Sequence, residues 1–378
     1  MRHNIINTNS IEKLIEAIDD NILNNFTPTL AFIYSSVHYD IPTLVQKLKK
    51  YKFFVVGAST VGEIYADSYN GTEVKDKTIT CMLVELDKSA FALKVKDVNK
   101  KDNYYKLGTK MAKWSRKKFS NPAILTITSG LYFDNDTYLK GLQTKVNYLF
   151  GAAAGDDNVF QNTYAFSQEK ITLSGALVLA IDRDKIDIVS SRGFGWSGIG
   201  TQRVVTKSIK NIVYTIDDKP AVNFYKEYLN ITQDDMPGMG VDYPLEVQLA
   251  NGQIVYRAAV HINQEDGSLV FSGHVEEDSK VRISAPIGEQ IIEHVEESIL
   301  KSLTGKEDFK SDLTLIFPCA AHKNLLGSYG KKEIEAVYNA TQNAPLIGFY
   351  AYGEIASSQQ NNAFHNETFV TVQLREKK

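Results

Sequence analysis

Three short runs in the 378-residue chain pair glycines with a following acid. They are Gly57 and Gly62 before Glu63, Gly151 and Gly155 before Asp156, and Gly348 and Gly353 before Glu354. Glycine at a strand end lets backbone amides approach a ligand closely, and a carboxylate beside them can hold an ammonium group. The same glycines can also serve only turns or bulges, with the acids solvated or capping. No Lys-Ser/Thr follows the second glycine, so none of the runs is a phosphate loop. Gly193-x-Gly195-x-x-Gly198 has the form of a dinucleotide fingerprint, yet Thr201–Thr215 after it reads as strand where that fingerprint needs a helix. Arg192 and Trp196 flank this run. A guanidinium beside glycine-rich backbone can clamp a carboxylate, and an indole can wall a pocket.

Cys319 and His322 place a thiol three residues from an imidazole, a spacing that invites a nucleophile reading. The matching positions of the other two runs hold Ser35-Ser36 and Ser129-Gly130, which favours a small loop residue instead. Two ligands are too few for a metal site, and no pair among the seven histidines has metal-site spacing. His365 is the best single histidine because its loop lies near the third glycine run. Tyr65, Tyr132, Phe133, Tyr350 and Tyr352 could line a pocket beside these loops, or belong to the core. Lys100–Lys118 carries eight Lys/Arg and one acid around an apolar face of Tyr104, Leu107, Met111 and Trp114. That pattern suits a helix packed by its apolar face, with an anionic partner surface as the alternative.

These residues recur on one repeated unit. Thr29–Ser36 reads as a strand, Ile41, Leu44, Val45 and Leu48 follow helical spacing, and Phe53–Ile64 and Thr78–Leu86 follow as strands. The order returns over Ala123–Ile181 and over Asp312–Leu374, each time after a helical segment (Ile11–Ile22, Tyr104–Phe119, Ile287–Leu303). Between the second and third copies, Thr201–Ser284 reads as an antiparallel β-meander with turns at Asn251-Gly252 and Asp266-Gly267, a short helix at Pro220–Leu229 and a turn or mobile loop at Met236–Gly240. The expected fold is mixed α/β (α+β): three strand-helix-strand-strand units in layered sheets, with the meander inserted before the third. Two domains are expected, 1–215 with two units and 216–378 with the meander and the third. A net charge of −3 lacks the basic footprint of a nucleic-acid binder, and no apolar run approaches a bilayer span. The first residues lack the apolar core of a signal peptide, and two cysteines suggest a reducing compartment, so a cytoplasmic protein is expected.

The runs VVGASTVGEI, GFGWSGIG, DDKPAVNFYKEYL, DGSLVFSG and above all GFYAYGEIA with FHNET resemble the FIST sensory domain. The resemblance covers about Thr29 to Leu374, an N-terminal and a C-terminal FIST module, with no transducer module attached. It implies a small-ligand sensor, with an amino acid or similar polar metabolite as ligand. It also implies a separate signalling partner such as a kinase, chemoreceptor or cyclic-nucleotide enzyme. By the same analogy haem is the one candidate cofactor, a nitric oxide sensor with His365 as ligand being the alternative, and a Cys319/His322 hydrolase ranks below both. No cofactor is required by the residues themselves, and an enzyme is not expected. The expected ligand site gathers Ser59, Thr60, Gly62, Glu63, Asp156, Asp157, Arg192, Trp196, Tyr350, Tyr352 and Glu354 at the junction of the two domains.

Overall fold

The computed structural model describes residues 1–98, 103–306, 308–358 and 361–377. The fold is mixed α+β. Three six-stranded sheets surround one shared apolar core, and a separate antiparallel sheet forms the meander.

In each six-stranded sheet an edge strand lies against a closing strand, then two parallel strands, then a short antiparallel hairpin. The first sheet runs Arg2–Thr8, Ile79–Glu85, Leu30–Ser35, Phe54–Ser59; the second Phe91–Asp97, Gly175–Asp182, Pro122–Thr128, Leu149–Ala153; the third Ile186–Phe194, Thr368–Glu376, Leu313–Pro318, Leu346–Phe349. The parallel strands are joined by helices, Ile41–Leu48, Asn135–Gln143 and, in the third case, Ala320–Leu326 followed by Gly330–Ala340. A right-handed crossover needs such a helix to return the chain parallel.

The hairpins come from elsewhere in the chain. Glu63–Asp67 with Gly71–Lys75 completes the third sheet, Ala165–Phe166 with Ile171–Thr172 the first, and Gly353–Ser358 with Asn361–His365 the second. Each unit therefore passes its hairpin to another unit's sheet, in a closed cycle. Strand pairing thereby crosses residues 215 and 216: Ile64 of the first unit lies opposite Gly348 of the third, and Ile355 opposite Gly151. The first glycine of each pair sits where the strand is packed too tightly for a side chain, against the incoming hairpin at Gly57 and against its own parallel neighbour at Gly151 and Gly348. A Cβ on Gly57 meets the Phe166 ring at 2.1 Å, and one on Gly348 meets the Ile316 carbonyl oxygen at 2.2 Å.

The GFGW run is strand. Ile186–Phe194 belongs to the third sheet, and Trp196–Ile209 continues into the meander after Gly195. No helix follows it, which excludes the dinucleotide fold for this run. The stretch read as strand over Thr201–Thr215 is a hairpin, with Ile212–Ile216 returning along Trp196–Ile209. Turns at Asn251-Gly252 and Asp266-Gly267 connect Leu245–Gln248 to Ile254–Arg257 and Ala259–Ile262 to Leu269–Phe271. Both glycines have left-handed φ, 81° and 68°. The Ala221–Tyr228 helix buries Phe224 and Tyr225 in the meander core, and the Met236–Gly240 stretch, read as a loop, enters the short helix Gly238–Asp242.

Candidate functional site

The three glycine loops do converge, and they bond to one another. Gly155 N–H donates to the Ser59 carbonyl (2.9 Å), Asp157 N–H to the Thr60 carbonyl (2.9 Å), Val61 N–H to the Tyr350 carbonyl (3.0 Å), and Tyr352 N–H to the Ala153 carbonyl (3.1 Å). The amides expected to face a ligand are thus engaged by neighbouring loops. Side chains close the knot further. Ser59 Oγ donates to the Gly155 carbonyl (2.6 Å), and Tyr352 Oη donates to Asp156 (2.6 Å) while its ring stacks on Phe160. Asp156 also accepts the backbone N–H groups of Phe160, Gln161 and Asn162. Asp157 accepts from Ser36 Oγ at 2.6 Å. Glu63 accepts from the hydroxyls of Thr60 and Thr78 and from Thr78 N–H, and burial pushes its carboxyl up to about 7. Gly62 packs against Lys323, whose ammonium donates to the Val61 carbonyl. The acids after the second glycines are not equivalent: Glu63 and Glu354 begin hairpin strands, whereas Asp156 lies in the loop ahead of Ala165–Phe166. Asp156 and Asp157 do line an open cleft of 700 Å³ with His38, Tyr39, Gln161 and Asn162.

Arg192, Glu354 and Trp196 lie in a second place, beneath the meander, with residues that the spacing did not single out as ligand-binding. Arg192 donates from Nη1 to His365 Nε2 at 2.9 Å. That bond leaves the imidazole proton on Nδ1, which is buried without a partner. No carboxylate pairs with Arg192 among the described residues; its guanidinium lies over the Phe194 ring at 5.4 Å. Across the hairpin from His365 stands Glu354, fully buried, with Oε2 accepting Thr368 N–H at 3.2 Å and Oε1 unpartnered. Burial, and next the neighbouring Glu367, hold the Glu354 carboxyl well above its usual range. Glu367 is pushed up to about 8 by burial, with Asp242 adding to the rise. Burial thus favours the protonated form of both groups. The cluster therefore has a cationic end, Arg192 with His365, and a carboxyl end, Glu354 with Glu367.

Trp196 caps it from the meander side, packed with Tyr256, Cys319 and Ala321, its Nε1–H donating to the Asp242 carbonyl at 2.9 Å. Tyr225, from the meander helix, is buried near Glu367 with its hydroxyl unpartnered. Beyond Trp196, the His322 imidazole lies 5.4 Å away and pairs through Nδ1 with Glu333 at 2.7 Å. Glu367, Asp242 and Tyr225 were missed because they are far apart in sequence. The one signal available was FHNET, every residue of which is buried at this junction.

The thiol reading fails on geometry. Cys319 Sγ donates to Glu367 at 3.6 Å, and His322 is held by Glu333. Burial and two nearby acids raise the Cys319 thiol well above its usual range, opposite to the activation a nucleophile needs. Iodoacetamide at pH 8 is therefore expected to leave Cys319 of the folded protein unmodified while alkylating it in urea; rapid reaction of the folded protein would restore the nucleophile. Nor do the surroundings of His365 fit a haem: Nε2 is occupied by a guanidinium, Nδ1 is enclosed, and burial with two arginines keeps the ring neutral. Among the described residues no group of three or more His, Cys, Asp or Glu could hold a metal ion.

Two family models match the chain: FIST N domain over residues 29–219 and FIST C domain over 221–357. The chain belongs to the FIST family. FIST domains are recognised as sensory and signal-transduction domains. No curated protein matches it. Among the described residues no helix is long and apolar enough to cross a membrane. In this FIST protein the boundary between the two matches falls at the Lys219–Ala221 entry to the meander helix.

Proposed function

We propose that this FIST protein is a sensor that binds a small zwitterionic metabolite, an amino acid or a close relative, beneath the meander, between the third sheet and the hairpin that completes the second. The observation that carries the reading is the bipolar buried cluster. Arg192 lacks a counter-charge, and buried polar atoms of His365 and Glu354 lack partners, which ordinary interiors avoid. A ligand carboxylate satisfies Arg192 and His365 Nδ1–H; a ligand ammonium satisfies Glu354 and Glu367 once they ionise. Trp196, Tyr256 and Phe194 close the cluster, so entry requires the meander to move relative to the third sheet. Binding that favours one of those two arrangements is the physical basis of a signal to a partner protein such as a kinase, chemoreceptor or cyclic-nucleotide enzyme. The glycine-loop residues Ser59, Thr60, Gly62, Glu63, Asp156, Asp157, Tyr350 and Tyr352 hold the strand ends that carry this cluster.

Calorimetry against amino acids at pH 7 tests the reading. Binding is expected to release protons, because an arriving ammonium ionises neutral carboxyls. Arg192→Ala and Glu354→Gln are each expected to weaken binding roughly tenfold to a hundredfold, the loss of one charge-assisted hydrogen bond. If both variants stay folded and bind like the parent, the ligand sits elsewhere, with the Asp156–Asp157 cleft the next place to look.

A further inference from the structure

The helices preceding the first parallel strand of each sheet differ sharply in charge. Tyr104–Lys118 turns Leu107, Met111 and Ser115 inward and carries no acid. On its outer face Lys106, Lys110, Lys113 and Lys117 form one exposed row. At 1.5 Å per residue that row is about 16 Å long. None of these four lysines enters an ion pair among the described residues, although other surface lysines do. Lys94, on the adjoining edge strand, lies close enough to Lys96 and Lys118 for like charges to crowd.

The corresponding helix of the third sheet has the opposite sign. Gln290–Leu303 buries Ile291, Val295 and Ile299. Its outer face exposes Glu293 and Glu297, with Glu289 in line just before the helix and Lys301 ending the row one turn later. These three carboxylates form no ion pair among the described residues either, whereas Glu12, Glu73 and Glu85 elsewhere on the surface do. A row of four unpaired lysines and a run of three unpaired glutamates, ended by Lys301, thus stand on two helices over different sheets of one molecule.

We infer that the lysine row of one copy docks on the glutamate row of a second copy. The two faces differ, so the contact is heterologous and propagates as a ring or an open chain. The net charge of −3 opposes a polyanion as occupant of the lysine row, whereas the matching acidic row is present on every copy. Exposed pairs are screened by salt, so assembly is expected at about 20 mM salt and dispersal at about 500 mM.

Charge exchange tests this in sedimentation velocity. Lys110→Glu with Lys113→Glu, and separately Glu293→Lys with Glu297→Lys, should each abolish assembly, weakening it by roughly tenfold or more. Mixed together, the two variants should assemble again, because each then presents the complement of the other's altered face. This recovery also shows that both variants are folded. A parent that stays monomeric at low salt, assembly that survives either double substitution, or a mixture that fails to associate overturns the inference. So does a lysine row that captures anionic vesicles or nucleic acid while the parent remains monomeric.

Discussion

Gly151→Ala is expected to be among the most damaging single substitutions in this protein, costing about 3–5 kcal/mol of stability. Gly151 sits in the strand that receives the hairpin of the third unit, with φ at 141°. An added Cβ lies 1.9 Å from the Thr126 carbonyl oxygen and 3.0 Å from the Thr126 nitrogen. Those atoms are backbone of the adjacent central strand, so no rotamer change relieves the clash, and moving that strand disturbs the second sheet on both sides. Gly238→Ala is the control: nothing lies within 4 Å of its Cβ position, and its effect should stay within about 0.5 kcal/mol. Urea unfolding of both variants beside the parent measures the difference. Equal midpoints for the two would show that the exchanged hairpin does not depend on the glycine.

Stability is also expected to fall as pH rises from 5 to 9, and Glu367→Gln to flatten that fall. The Glu367 carboxyl titrates at about 8 and that of Glu63 at about 7 in the folded chain, both raised mainly by burial. In the unfolded chain both titrate near the ordinary glutamate value, so the unfolded state sheds these protons first. A state that retains protons loses ground as they become scarce. Their contribution is therefore complete below the ordinary glutamate range and is lost as pH passes through 7 and 8. For Glu367 the loss by pH 9 is on the order of 5 kcal/mol, since each tenfold difference in proton affinity between the folded and unfolded chains corresponds to about 1.4 kcal/mol. Glutamine keeps the neutral form at every pH, so the variant should be similar to the parent at pH 5 and more stable at pH 9. Parallel profiles for the two proteins would mean that Glu367 is not the buried titrating group.

Much of the local structure was legible in the sequence because it depends on near neighbours. The spacing of Ile41, Leu44, Val45 and Leu48 foretold a helix, and all four are buried on one face. Asn251-Gly252 and Asp266-Gly267 specified turns through backbone angles that glycine tolerates. The mixed α+β class followed from the alternation of such elements, and the FIST relationship from GFYAYGEIA and FHNET. The edge strand Arg2–Thr8 escaped notice because its half-buried, polar-rich residues carry no strong period.

What lay beyond the sequence was which segments meet. The glycine pairs looked like ligand loops, yet what they meet is the hairpin of another unit, and nothing in FVVGAS or LFGAA names that partner. The candidate site has the same origin. Arg192 comes from the third sheet, Glu354 and His365 from the hairpin that completes the second, Glu367 from the turn after it, and Asp242 and Tyr225 from the meander, and they meet only in the tertiary fold. Residue types and short spacings, set by backbone geometry and solvent, determined the elements; the pairing of distant strands, set by packing, decided which acids lose water and which polar atoms are left without partners. Desolvation is a property of the assembled interior, so the carboxyls held back from ionising and the guanidinium without a counter-charge that mark the candidate site exist only in the folded molecule.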